Sequence, residues 1–371
     1  MKVCVDIQAA LGQRGGVGRY VRELLAHLGP EAGADELSAF YFDFKRTGLE
    51  APPSGVELRA CHWLPGRMAQ AAWKRIGFPP YDWLAGQADI YHFPNFIRPP
   101  LSRGRRSVVT IHDVSFLRLP ETTEEKNLAW LTAEIHRTVE RADAIITDSQ
   151  FSAREIVELL KVPEEKVVPI WLGLPQFGPA PAPPEAERIR RELGLEKPFL
   201  LMVGTIEPRK NIPFLVKVYE ALHDFDGDLV VVGGWGWKTD ATKRAIADSP
   251  RRGGIRVLNH VDDRQLSAVY AGASVFVYPT RYEGFGFPPL EAMARGTPVV
   301  SARNSSLPEV LGQAAEWVDG YNADDWAATI RAVLGDETRA AQLCSAGLAQ
   351  AQKFSWAETA RQTWAVYRRF A

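Results

Sequence analysis

The chain has 371 residues, 46% hydrophobic and 24% charged, with 44 lysines and arginines set against 45 aspartates and glutamates. That balance excludes a disordered or fibrous chain and one that coats nucleic acid by bulk charge, so no nucleic-acid partner is expected. At about 150 residues per domain the length points to two domains, each able to bury its own core.

The opening stretch, MKVCVDIQAALGQ, is a short apolar run that meets glycine and arginine before a signal-peptide core and cleavage site are complete. It reads as a buried strand, Val3 to Ile7. Runs rich in valine and isoleucine recur at 108–111, 144–147, 167–171, 199–203, 228–232, 255–258, 274–278 and 298–301. Being apolar on both faces and separated by amphipathic stretches, they imply parallel sheets covered by helices, an α/β protein. None approaches the roughly 18–20 residues needed to cross a bilayer. Cys4, Cys61 and Cys344 show neither C-x-x-C spacing nor a histidine cluster, so no disulfide framework or zinc site is expected and a cytoplasmic location fits.

The stretch 173–187, GLPQFGPAPAPPEAE, concentrates proline and glycine and reads as a linker that enters neither sheet nor helix interior. It divides the chain into residues 1–175 and 176–353. Asp262 reads as the N-cap of a helix whose Leu266, Val269, Tyr270 and Ala273 recur at helical spacing. The final stretch, 354–371, is an amphipathic helix that must bury Trp356, Trp364 and Tyr367, and it is expected to pack back on the first domain.

The most informative segment is RYEGFGFPPLEAMARGTPVVS. After the strand 274–278 comes a loop, Glu283-Gly284-Phe285-Gly286-Phe287, then a helix opened by Pro288-Pro289 and closed by Gly296. Such a loop at a strand's carboxyl end, leading into a helix N-terminus, is where open α/β sheets bind anionic ligands. Glycines let the backbone approach the ligand. Glu283 in the loop and Glu291, expected in the first turn, are spaced so that one faces a sugar and the other a ribose.

The pattern EGFGFPPLE, with AMARGTPVVS and SLPEV after it, resembles the donor-site signature of the retaining glycosyltransferases of family 4. GGVGRYVREL near the N-terminus, Ile111-His112-Asp113, TDSQFS and VGTIEPRKN extend the resemblance over most of the chain. It implies the GT-B fold, two Rossmann-like domains facing a cleft, with the acceptor side in the first and the donor side in the second. It also implies transfer of a hexose from a nucleotide diphosphate sugar to a hydroxyl of a polysaccharide, oligosaccharide or lipid-linked acceptor. Similarity to bacterial mannosyltransferases favours GDP-mannose as the co-substrate, and no separate cofactor is expected.

Several residues gain roles from this resemblance. Gly204 ends a strand, and Arg209 and Lys210 in the loop beyond it offer a fork and a point charge to a departing diphosphate. With no D-x-D-type carboxylate pair at a strand end, this predicts catalysis without a metal. Relatives carry arginine where this chain has Thr205, and Arg209 is the expected substitute. Gly16 and Gly18 fail the dinucleotide pattern G-x-G-x-x-G, since Val21 stands at the third position; the resemblance makes them part of a loop closing on the donor. It sets His112 against the donor sugar. Two rivals stay open: a sugar-nucleotide epimerase of the same architecture, and a non-catalytic sugar-nucleotide or lipid-binding protein.

Between Arg59 and Arg106 eight cations face two acids, Asp82 and Asp89, with Trp63, Met68, Trp73, Ile76, Phe78, Tyr81 and Trp83 interleaved. This composition suits contact with an anionic membrane or a polyanionic acceptor, and equally a solvated basic surface over an aromatic cluster.

Overall fold

The structure, a computed structural model, describes residues 1–12, 15–46, 48, 53–174 and 180–370. It divides into two compact units: residues 1–117, 126–173 and 355–371 form the first, and residues 118–125 and 174–354 the second. Within the proline-rich stretch, residues 175–179 lie outside the described residues. The remainder corrects the linker reading, because the helix Pro183–Glu192 opens inside it. Proline at the first helical positions gives up no hydrogen bond, since those N–H groups have no helical partner, and its fixed φ already suits the helix.

The first unit is built on the strands Lys2–Asp6 (β1), Glu36–Phe42 (β2), Val56–Cys61 (β3), Ile90–Phe93 (β4), Arg106–Thr110 (β5), Ala144–Thr147 (β6) and Val167–Pro169 (β7). The second has Phe199–Val203 (β8), Asp228–Val232 (β9), Ile255–Leu258 (β10), Val275–Tyr278 (β11), Val299–Ala302 (β12) and Glu316–Val318 (β13). Every pairing is parallel, in the orders β3-β2-β1-β4-β5-β6-β7 and β10-β9-β8-β11-β12-β13. Each sheet therefore reverses its strand order once, between β1 and β4 and between β8 and β11. The crevice beyond the strand ends at such a reversal is where open α/β sheets place ligands.

The nine apolar runs are all strands, with ends shifted by at most two residues. The apolar-run pattern does not single out β2, β3, β4 and β13, and each has a reason. β3 carries Glu57 and Arg59, which pair at 2.8 Å on the sheet's edge. β13 is a three-residue edge strand, and β2 and β4 hold aromatic residues and His92 where valine and isoleucine would mark a strand.

The final helix, Trp356–Arg368, belongs to the first unit. Trp364 is fully buried and donates its Nε1 hydrogen to the Leu28 carbonyl at 2.9 Å. The Tyr367 hydroxyl lies 2.6 Å from His92 Nδ1, and His92 Nε2 lies 2.8 Å from Thr110 Oγ1. Burial pulls the His92 imidazole down to about 3, so the ring is neutral at pH 7.

Candidate active site

In the second unit, the carboxyl ends of β8 and β11 meet at the strand-order reversal. β8 ends at Val203, and Gly204 follows with φ +146°, a conformation L side chains rarely adopt; a Cβ there would lie 3.3 Å from Lys210 Cε. The chain then makes a 3₁₀ turn, Pro208–Lys210. This turn delivers Arg209 and Lys210 to the end of β11.

There they meet Glu283, which is 6% exposed. Its Oε1 lies 2.7 Å from Lys210 Nζ and 3.0 Å from Arg209 Nη1. The same oxygen accepts from Thr280 Oγ1 at 2.8 Å and from the Tyr278 hydroxyl at 3.0 Å. Among the described residues all four contacts fall on Oε1 and none on Oε2. Burial alone would raise the carboxyl, but Arg209, Lys210 and the hydrogen bonds from Lys210 and Thr280 outweigh it and hold Glu283 down to about 2. Glu283 is an anion throughout the physiological range.

Lys210 donates to the Tyr278 hydroxyl at 2.6 Å and to Glu283, so two of its three N–H donors are committed. Arg209 is tied down as well: Nη1 donates to the Tyr282 carbonyl and Nη2 to Glu207 Oε1, each at 2.7 Å. The glutamate loop is held by its neighbours beyond β12. The Glu283 N–H donates to Ser305 Oγ at 2.9 Å, and Ser306 Oγ lies 2.9 Å and 2.8 Å from the carbonyl oxygens of Glu283 and Phe285, which share its single hydrogen.

The helix after this loop runs Phe287–Ala294, with Gly286 at its N-cap at φ +112° and prolines in its first turn. Gly284, Phe285 and Gly286 thus stand at the helix entrance and Phe287 is its first residue. Phe285 is buried, its ring 5.2 Å from that of Phe287 and 5.6 Å from that of Phe354. Glu291 is the fifth helical residue, which corrects the first-turn expectation: the helix starts one residue before its prolines. It is buried, and its Oε2 accepts a hydrogen bond from the Tyr270 hydroxyl at 2.7 Å.

The remaining candidates belong to the first unit. His112 lies just beyond β5 and is nearly buried. Its Nδ1 is 2.9 Å from Asp148 Oδ2, and its Nε2 is 3.2 Å from the Pro94 carbonyl. The ring meets Tyr20 edge-on, centroids 4.8 Å apart. Burial opposes a charge on this imidazole, but the charge and hydrogen bond of Asp148 prevail and raise its pKa. Both nitrogens face acceptors, so the imidazolium form is satisfied. Gly16 and Gly18 lie inside the helix Gly16–Glu31, which corrects their reading as loop residues. They form its first turn, where the N–H groups have no intrahelical partner.

The structure thus gathers Gly204, Arg209, Lys210 and Glu283 into one cluster, with residues 284–287 and Glu291 on the segment that continues from it. Sequence reasoning passed over Glu207, Tyr278, Thr280, Ser305, Ser306, Tyr270 and Asp148. Glu207 and Asp148 lie within the quoted VGTIEPRKN and TDSQFS, where a carboxylate beside a cation or facing a histidine is a usable signal. The hydroxyl residues carry no such mark. Among the described residues no three His, Cys, Asp or Glu side chains converge as metal ligands.

Sequence models of two families match the chain: Glycosyltransferase Family 4 over residues 14–175, and Glycosyl transferases group 1 over residues 185–349. An O-antigen chain mannosyltransferase B of Escherichia coli is 36% identical over 283 residues, 75% of this chain and 74% of that protein. A serotype-specific mannosyltransferase WbdA of the same species is 32% identical over 60% of this chain, a match spanning only 28% of that longer protein. Among solved structures, sucrose-phosphate synthase from Thermosynechococcus elongatus superposes with a TM-score of 0.76 at 19% identity, covering 100% of this chain and 98% of the other. Anabaena Alr3699/HepE in complex with UDP-glucose superposes at 0.71 with 18% identity and full coverage of both.

Proposed function

Because the chain belongs to glycosyltransferase family 4 and is a glycosyltransferase of the GT-B fold, we propose that it moves mannose from GDP-mannose to a hydroxyl of a polysaccharide, oligosaccharide or lipid-linked acceptor, with retention of configuration. The observation that carries this reading is the buried Glu283 carboxylate. One oxygen is saturated by Lys210, Arg209, Thr280 and Tyr278, and the other is left for a ligand hydroxyl. The names of the mannosyltransferase relatives support mannose.

In this mechanism the first unit takes the acceptor and the second the nucleotide sugar. Lys210 turns its third N–H donor, with the Arg209 charge and the positive end of the dipole of the helix Phe287–Ala294, toward the diphosphate as its bond to the anomeric carbon breaks. Cations fixed in place before reaction stabilise the charge that develops there. The acceptor oxygen bonds to the anomeric carbon on the same face, and its proton passes to the departing phosphate oxygen, so no covalent enzyme intermediate is needed. Glu283 orients the sugar through Oε2, and Glu291 binds the ribose. Gly204 and the loop 284–287 let backbone approach the donor.

Titration of GDP into variants, beside initial rates with GDP-mannose, tests the roles of the two glutamates. Glu291→Ala is expected to weaken GDP by roughly the 1.5–3 kcal/mol of a hydrogen bond to a charged group. Glu283→Ala should lower the rate with GDP affinity nearly unchanged. The opposite pattern would reverse the two assignments, and unchanged rates in both would remove the site.

Turnover is proposed to need no divalent metal, because Arg209 and Lys210 already supply two fixed cations beyond the end of β8 for the departing diphosphate. Rates should be equal in EDTA and in magnesium or manganese; loss in EDTA with recovery on adding metal would overturn the leaving-group assignment.

No helix among the described residues is long and apolar enough to cross a membrane. We place the enzyme in the cytoplasm, touching an anionic bilayer from one side. The helix Gly66–Ile76 buries only Ala69, and Trp63, Ile76 and Trp83 are 70%, 73% and 65% exposed among exposed Arg67, Arg75 and Arg103. Binding to phosphatidylglycerol vesicles is expected to weaken as salt shortens the screening length from about 8 Å at physiological ionic strength. Binding that is absent, or equal on neutral vesicles, would leave this face as ordinary surface.

A further inference from the structure

The first unit holds a cleft of about 450 Å³ that the site above does not use. It opens beyond the carboxyl ends of β1 and β4, where the strand order reverses, the position at which such sheets take small ligands. The helix Glu125–Arg141 lines it with Trp130, Glu134, Arg137 and Arg141. Their spacing of four, three and four puts them on one helical face. The helix Gly66–Ile76 lines it with Gln70, Trp73 and Lys74, again residues of one face. Lys74 Nζ stands 5.1 Å from the centre of the Trp130 ring, so the two helices meet across the cleft.

The lining combines three chemistries. Trp73 and Trp130 are half-buried and give flat apolar walls. Asp6 and Gln8 at the end of β1, with Asn95 beyond β4, supply hydrogen-bonding groups at the strand ends. Asp6 is braced by the Gln8 N–H at 3.1 Å and the Tyr81 hydroxyl at 2.9 Å. The cations outnumber the acids. Arg98 is anchored on Ser107 Oγ at 2.8 Å and Glu134 pairs with Arg137 at 3.5 Å, while Lys74 and Arg141 take no carboxylate partner among the described residues.

We propose that this cleft binds a phosphorylated pyranose: the ring lies against the tryptophan walls, its hydroxyls face Asp6 and Gln8, and the phosphoryl group sits between Arg137 and Arg141. An aromatic wall recognises the apolar face of a sugar ring, and guanidinium forks match phosphoryl oxygens in geometry and charge. Naming this occupant the acceptor rests on the transferase reading; the binding itself does not.

Calorimetric titration of the full chain with mannose 6-phosphate, mannose, inorganic phosphate and GDP tests it. Mannose 6-phosphate is expected to bind more tightly than mannose or phosphate alone. The double variant Arg137→Gln, Arg141→Gln should lose about tenfold or more of that affinity, the loss expected of one charge-assisted hydrogen bond, and keep its affinity for GDP. Both arginines are exposed on a helix surface, so the variant keeps its fold. Phosphate binding as tightly as mannose 6-phosphate would make the cleft a general anion site and overturn the proposal. So would mannose 6-phosphate binding that is undetectable at about 10 mM or unchanged in the double variant. GDP binding without mannose 6-phosphate binding sinks the cleft and leaves the GDP-mannose reading standing; the reverse result sinks the GDP-mannose reading and leaves the cleft.

Discussion

Lys210→Ala is expected to lower kcat by about 10²- to 10³-fold, the loss seen when one preorganised donor to a developing oxyanion is removed. The ammonium contacts the charge in the ground state and more strongly as the diphosphate departs, so GDP affinity should fall too, by a smaller factor. The substitution also leaves Glu283 buried with only part of its compensating charge, which carries a stability cost of a few kcal/mol. The pH dependence separates that cost from a general loss of packing. Glu283 titrates at about 2 in the folded chain against an ordinary 4.5. A depressed carboxylate contributes stability that is fully present above 4.5 and is lost as pH falls toward 2, roughly 3 kcal/mol over the whole window. Removing Lys210 shrinks the depression, so wild type and variant should converge in stability as pH falls from 4.5 to 2. A constant difference across that window, or an unchanged kcat at pH 7, would show that Lys210 does not serve Glu283 and the leaving group as described.

Trp364→Ala is expected to cost about 3–5 kcal/mol, the range for truncating a buried large aromatic residue. The side chain is wholly enclosed, its ring centroid lies 5.3 Å from that of Tyr367, and its N–H closes on the Leu28 carbonyl 336 residues away in sequence. The final helix is thereby fastened to the helix Gly16–Glu31, and the Tyr367 hydroxyl on the same helix reaches the buried, neutral His92. Urea unfolding followed by fluorescence and by GDP protection should show the first unit's transition moving to lower denaturant and the GDP-protected transition staying in place. An unshifted curve would mean that the helix contributes little to that unit.

The α/β class, the position of most strands and the punctuation of several helices follow from local chemistry. Asp262 caps its helix through the Gln265 N–H at 2.7 Å in a full capping box, and the prolines before Glu291 open theirs, because these are interactions between residues three or four apart. Glu283 and Arg209 stand out in the sequence for a related reason: each has a charge next to a glycine or proline in the loop that follows a strand, and Lys210 comes directly after Arg209. Interactions across longer separations had to wait for the packing. Thr280 and Tyr278 sit within five residues of Glu283, yet nothing in their type marks them as its donors until the loop folds back. Lys210 reaches the same oxygen from 73 positions away. Glu291 lies one residue deeper in its helix than the prolines suggest because the N-cap fell on Gly286, which has a left-handed backbone. The cleft formed by residues near 73 and near 130 is the clearest case. Each helix carries an ordinary amphipathic pattern by itself, and the aromatic and cationic walls come together only because the parallel sheet sets both helices over the ends of β1 and β4. Local hydrogen bonds and the burial of apolar runs are encoded over a few residues; the environment of a charge is decided by whatever the sheet brings beside it.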